Sequence, residues 1–178
     1  MHIRSVASYQ GGKTRTAAEI IQIITTEHPH PTEWVEVCCG SAVVTLSVLR
    51  EGYVRSDQAT IIDIGPWGRF WAAISRGEFD WDTYDRVLAK MGKWGTKEEI
   101  IDAQKNSKRV LNDVARKPVP TNESEFAAIF VLLQAGAFRS KPICVSSDGL
   151  MWKHATFADI WFPTETSGRQ SHRNSLIP

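Results

Sequence analysis

The feature that most constrains this chain is a strand-turn-helix pattern that occurs twice in succession. Residues 34–38 form a short apolar run ending in Cys-Gly-Ser, and residues 42–49 carry the spacing of a following helix, so the break is centred on Gly40. Residues 60–64 repeat the pattern: an apolar run reaches Asp63, Gly65 and Pro66 break it, and 67–74 reads as helix. Repeated strand-helix units argue for a parallel sheet, whose ligands gather at the carboxyl ends of the strands. Ahead of them, residues 16–26 place Ile20, Ile21 and Ile24 on one face. Thr16 and Glu19 have capping-box spacing, which predicts a helix starting just after Lys13.

After about Gly77 the strand signals thin out. Helical periodicity runs through 81–91, 96–115 and 123–133, and Thr96 with Glu99 forms a second capping-box pattern. The organisation expected is an α/β portion over 1–77, a helical segment over 78–163 and a polar tail or loop over 164–178. The 178 residues suit one core with a small subdomain. With 42% hydrophobic and 23% charged residues, composition argues against global disorder. The seven tryptophans are expected as core or interface anchors.

No apolar run approaches the roughly 20 residues of a membrane helix, and the start turns to glycine and lysine before any signal-peptide core. Cys38 and Cys39 are sequence neighbours and Cys144 stands alone, a poor basis for disulfides. Together these predict a cytoplasmic protein with no membrane partner. A net charge of +1 means that any nucleic-acid contact must come from local clusters. Lys90, Lys93, Lys97, Lys105, Lys108, Arg109, Arg116 and Lys117 form one around Trp94, interleaved with Glu98, Glu99, Asp102 and Asp113. Prolines interrupt the His28 and His30 pair, and no metal site is expected.

Three constellations carry chemistry, in order: Tyr9-Gln-Gly-Gly-Lys13 before a helix, Glu36-Val-Cys-Cys-Gly-Ser-Ala42 between strand and helix, and Ile61-Ile-Asp-Ile64 at a strand end. A small-residue turn lets the backbone approach a ligand, and the helix start beyond it offers amide groups. An acidic residue a little over 20 positions further on suits a ribose hydroxyl pair. These are the parts of a nucleoside pocket.

In this order the constellations resemble the Dam-type adenine-specific DNA methyltransferases, which open with aromatic-x-Gly-Gly-Lys, continue with Glu-Pro-Phe-x-Gly-x-Gly and then show a strand ending in Asp-Ile-Asn. The matching strings are YQGGK, VEVCCGSAVV and IIDIGPWGRFW. The likeness is good over about the first 76 residues. It implies an α/β, Rossmann-like S-adenosylmethionine-dependent methyltransferase fold, here partial, with a mostly helical DNA-recognition segment. By resemblance, Tyr9, Gly12 and Lys13 contact S-adenosylmethionine, with Lys13 near its carboxylate. Glu36, Cys38, Cys39, Gly40 and Ser41 line the methionine side; Asp63 holds the ribose and Ile64 lies against the adenine.

The string FVLLQAGAFRSKP is similar to the family's helix end before its DNA-binding loop, with Phe138 at the matching aromatic position and Gln134 and Ala135 replacing Asn-Arg. Arg139 and Lys141 then become the candidate contacts to double-stranded DNA. The family's Asp-Pro-Pro-Tyr catalytic motif does not occur in the sequence, so the catalytic residues are unknown. The degenerate string Asp63-Ile-Gly-Pro-Trp67 is a minor alternative for it.

The function expected is methyl transfer to the amino group of adenine in DNA by a chain that is either truncated or split, a second polypeptide carrying the catalytic motif being one way to complete it. An inactive DNA- or partner-binding relative is the alternative. A phosphate-loop nucleotide hydrolase, read from Gly12-Lys13-Thr14, is a weaker one, since Ala7 stands where that loop's first glycine belongs.

Overall fold

The computed structural model describes residue 13 and residues 15–93 and 95–137. They form a mixed α/β arrangement, mostly helical, with a small parallel sheet of two strands. Tyr9, Gly12, Trp94, Arg139 and Lys141 lie outside the described residues.

Helix α1 (Ala17–Glu27) precedes strand β1 (Trp34–Val37) and helix α2 (Val43–Arg50). Strand β2 (Ala59–Ile62) and helix α3 (Pro66–Ser75) form the second unit. Helices α4 (Trp81–Met91), α5 (Lys97–Ala115) and α6 (Glu123–Gly136) complete the described chain. Both strands end slightly earlier than their apolar runs, because Cys38 and Asp63 have already turned away to make the loops. The strands pair in parallel, with Glu36 opposite Ile61 and Val37 opposite Ile62.

The helix starts follow capping chemistry. Asp80 and Asn122 side chains accept backbone N–H groups at the starts of α4 and α6. Thr96 and Glu99 form the expected reciprocal box on α5. The box expected at Thr16 and Glu19 does not form. Thr16 takes a helical backbone conformation and turns its hydroxyl onto the Lys13 carbonyl, at 3.4 Å, so no side-chain cap is made.

Two apolar clusters hold these elements. In the smaller, Ala17 and Ile21 of α1 meet Val43, Val44 and Val48 of α2 and the ring of Trp34. The larger runs from Cys39 and Ala42 through Trp67, Phe70 and Trp71 to Phe126, Phe130 and Leu133, so α3 and α6 share one core across residue 77. Trp67 meets Phe70 and Phe130 edge-on at 5.6 and 5.0 Å, the arrangement that ring quadrupoles favour. Arg69 extends the junction beyond apolar contact: its guanidinium forks onto Glu123 at 2.9 and 3.1 Å and stacks 3.7 Å above Phe126.

Among the described residues, no element covers one face of the sheet. Val35, Val37 and Ile62 are exposed on it, whereas Trp34 and Glu36 point into the body. Parallel sheets ordinarily bury both faces.

Candidate functional site

The turn after β1 is an unusual piece of backbone. Cys38, Gly40 and Ala42 all take the left-handed conformation, with φ of 53°, 51° and 49°. Only glycine adopts it freely; Cys38 and Ala42 each carry a cost of about 1–2 kcal/mol that the surroundings must offset. Several hydrogen bonds do so. Cys39 donates its backbone N–H to Ile62 O at 3.1 Å, and Ala42 donates to Cys39 O at 2.8 Å. The Trp71 indole N–H reaches Gly40 O at 2.7 Å from helix α3.

Asp63 closes the arrangement. Its Oδ2 accepts the Gly40 N–H at 3.0 Å and its Oδ1 accepts the Gly65 N–H at 2.8 Å, so one carboxylate ties the two strand-end turns together. Helix α3 begins close against this strand end. A Cβ at Gly68 would collide with the Asp63 carbonyl oxygen, and only glycine permits the approach.

Glu36 is the buried counterpart, 8% exposed. Its Oε2 accepts both the Thr45 N–H at 3.0 Å and the Thr45 hydroxyl at 2.6 Å, and that hydroxyl accepts the Trp34 indole N–H at 2.9 Å. Its Oε1 faces the Lys13 ammonium at 3.4 Å, and the Lys13 side chain is 42% exposed. A charged residue buried in β1 is thus satisfied by the first turns of α2 and by a lysine ahead of α1.

The structure therefore brings together Lys13, Glu36, the Cys38–Ser41 turn and Asp63, as the sequence led one to expect. Their availability differs. Cys38 is exposed, whereas Cys39 and Ser41 are buried, so their side chains support the turn from within. Burial, and then the nearby charges of Asp63 and Glu36, push the Cys39 thiol from its ordinary 9.0 up to about 12, which keeps it protonated and unreactive. Ile64 is fully exposed beside Asp63.

Trp67 is 4% exposed and packed among Phe70, Trp71 and Phe130. A ring held in that way has no face to offer a base, which removes the reading of Asp63-Ile-Gly-Pro-Trp67 as a catalytic string. The phosphate-loop reading also loses ground. Lys13 precedes the N-cap Thr16 by three residues and pairs with Glu36, whereas that loop's lysine opens its helix.

Sequence reasoning missed the supports of the site. Thr45, Trp34 and Trp71 carry no motif; only the partners across the fold identify their roles. Within the basic cluster, Lys105 pairs with Asp102 at 3.3 Å and Arg109 lies 3.8 Å from Asp113, both on the solvated face of α5. No group of His, Cys, Asp and Glu among the described residues is arranged to hold a metal ion. No described helix is long and apolar enough to cross a membrane. The chain matches no protein-family model and no curated protein.

Proposed function

We propose that this chain is the cofactor-binding part of a Dam-type DNA adenine methyltransferase, built on a Rossmann-like sheet of which β1 and β2 are the described core. The observation that carries the reading is the meeting of Gly40, Asp63 and the Lys13–Glu36 pair at the carboxyl end of two neighbouring parallel strands.

The residues suit S-adenosylmethionine. Each Asp63 oxygen accepts one backbone amide and retains a lone pair, enough to receive two ribose hydroxyls. Ile64 offers an exposed apolar side chain to the adenine ring. The half-exposed Lys13 ammonium suits the carboxylate end, and Glu36 behind it fixes its position. When bound, the cofactor supplies an activated methyl group on a sulfonium sulfur. The chain's contribution is positioning and a fixed electrostatic environment, while the helices beyond α3 face the DNA and the adenine leaves the duplex to reach the methyl group. The Asp-Pro-Pro-Tyr motif that holds the amino group in that family does not occur in this sequence, and a second polypeptide is one source for it.

Calorimetry tests the reading directly. Titration with S-adenosylmethionine should give saturable binding, and titration with ATP plus magnesium should not; the opposite pattern would refute it. A non-catalytic DNA- or partner-binding relative is the second reading. Its support is the internal use of both carboxylates, Asp63 and Glu36, as turn ties.

A further inference from the structure

Away from the strand ends, a cleft of about 210 Å³ opens between α4, the end of α5, the 116–122 connection and α6. Its apolar wall is Val87, Val114, Ile129 and two prolines, Pro118 and Pro120; its polar lining places Arg86, Lys90 and Lys117 against a single carboxylate, Glu125. These cations come from separate elements, α4 and the segment after α5, so their convergence is a product of the fold. None of the three makes an ion pair within 4 Å among the described residues, whereas other helix cations, such as Lys105 and Arg109, do; Arg86 alone feels a nearby carboxylate, Asp80, across the Thr83 side chain. Arg86 is also held in place: one of its terminal nitrogens donates to the buried Thr83 hydroxyl at 2.6 Å, which leaves its other donors to face a ligand.

We propose that this cleft is a binding site for a phosphate group, with Arg86, Lys90 and Lys117 on its oxygens and the Val87, Val114, Ile129 and proline wall against the less polar body that carries it. A carboxylate has two oxygens and one charge to share among three cations; a phosphate monoester has three terminal oxygens and close to two charges, which match the guanidinium fork and two ammonium groups better, and a nucleic-acid strand reaches the same total with two neighbouring phosphodiesters. The proposal does not rest on the methyl-transfer reading. The phosphate belongs either to a free phosphate monoester, one of which fills the cleft, or to the phosphodiester backbone of a nucleic acid, in which the three cations are shared between neighbouring phosphates.

The test is calorimetry at low salt on the full chain with two probes, deoxyadenosine monophosphate and a short DNA duplex lacking terminal phosphates. Lys90→Gln combined with Lys117→Gln should weaken the probe that binds by about tenfold or more, as expected for loss of charge-assisted hydrogen bonds. Lys97→Gln combined with Lys108→Gln, an equal change of charge on the outer surface of α5, should weaken it less than about threefold on the same scale. Binding of the monophosphate alone identifies a free ester. Binding of the duplex, with its salt slope reduced by about 2 in the cleft variant, identifies the nucleic-acid backbone.

Equal losses in the two double variants, or no binding of either probe, would overturn the proposal. Should the cleft variant fail to fold, amide shifts of the parent protein decide: the probe must perturb Val87, Val114 and Ile129 together, and shifts elsewhere alone refute the site. S-adenosylmethionine binding should be the same in both variants, which keeps this test separate from that of the proposed function.

Discussion

Removing the Asp63 carboxylate should cost stability and ligand binding by different amounts, and the difference separates its two roles. In Asp63→Ala the Gly40 and Gly65 N–H groups lose acceptors at 3.0 and 2.8 Å. Hydrogen bonds to a charged partner contribute about 1.5–3 kcal/mol each. Asp63 is half-buried and water can replace part of the loss, so the low end applies, about 3 kcal/mol for the pair. At about 2–4 °C per kcal/mol for a chain of this size, the melting temperature should fall by about 6–12 °C. Asp63→Asn keeps one acceptor oxygen and should lose about half as much.

Thermal and urea unfolding followed by circular dichroism measure both variants, and S-adenosylmethionine titrations well below the transition measure binding to the folded fraction. Binding should weaken by about 1.5–3 kcal/mol, the cost of withdrawing a charged acceptor from the ribose hydroxyls. A melting point for Asp63→Ala within about 2 °C of the parent would refute the tie between the turns. Reduced stability with undiminished affinity would keep the tie and remove the ribose role.

Two further outcomes follow from the same geometry. Glu36→Ala leaves the buried Thr45 N–H and hydroxyl without their acceptor and should destabilise the fold by about 2–5 kcal/mol by urea titration; a loss below about 1 kcal/mol would show that the network has another partner. Burial and the flanking carboxylates raise the folded Cys39 thiol to about 12 from 9.0. The thiol therefore contributes stability fully below pH 9, and that contribution is lost as the pH rises towards 12. Between those values Cys39→Ala should lose less stability than the parent, and at pH 8 iodoacetamide should modify exposed Cys38 about tenfold faster than Cys39, read by fragment mass spectrometry. Equal modification of the two would contradict the buried placement.

The elements were legible wherever periodicity and caps agree. The 81–91 pattern coincides with α4, and Thr96 with Glu99 marks the start of α5, because both signals are local. The Thr16 pattern misled for an equally local reason: capping needs an extended N-cap backbone, and Thr16 has φ −107° and ψ −5°. The neighbourhood of Gly40 and Asp63 was legible because a parallel pair of strands brings their following turns to one end. What the sequence did not disclose was how the functional groups are employed. Glu36 read as a ligand-lining residue, yet its Oε2 is held by Thr45, and that bond depends on the packing of β1 against α2. The cleft of Arg86, Lys90 and Lys117 was hidden for the same reason, since α4 and the 116–122 segment are distant in sequence and line one cleft only when α4, α5 and α6 pack together.

The strained turn and the helical half of the chain are mechanically joined, which bears on any role in which one partner at the helices influences another at the strand ends. Trp71 donates to Gly40 O, and its ring stacks beside Trp67, which packs on Phe130 of α6. Arg69, two residues earlier on the same helix, forks onto Glu123 at the start of α6. Helix α3 therefore cannot slide with α6 while keeping the Gly40 contact, and it cannot retreat from the strand end without opening the Asp63 turn that Gly68 crowds. With Cys38 and Ala42 already in left-handed backbone, that turn has little freedom to adapt, so a displacement of α6 must be met at α3, by breaking either the Arg69 fork or the Trp71 hydrogen bond. Of the two, the half-exposed Arg69 pair gives way at lower cost, because water can take over its hydrogen bonds, whereas the indole N–H is buried and has none to replace it.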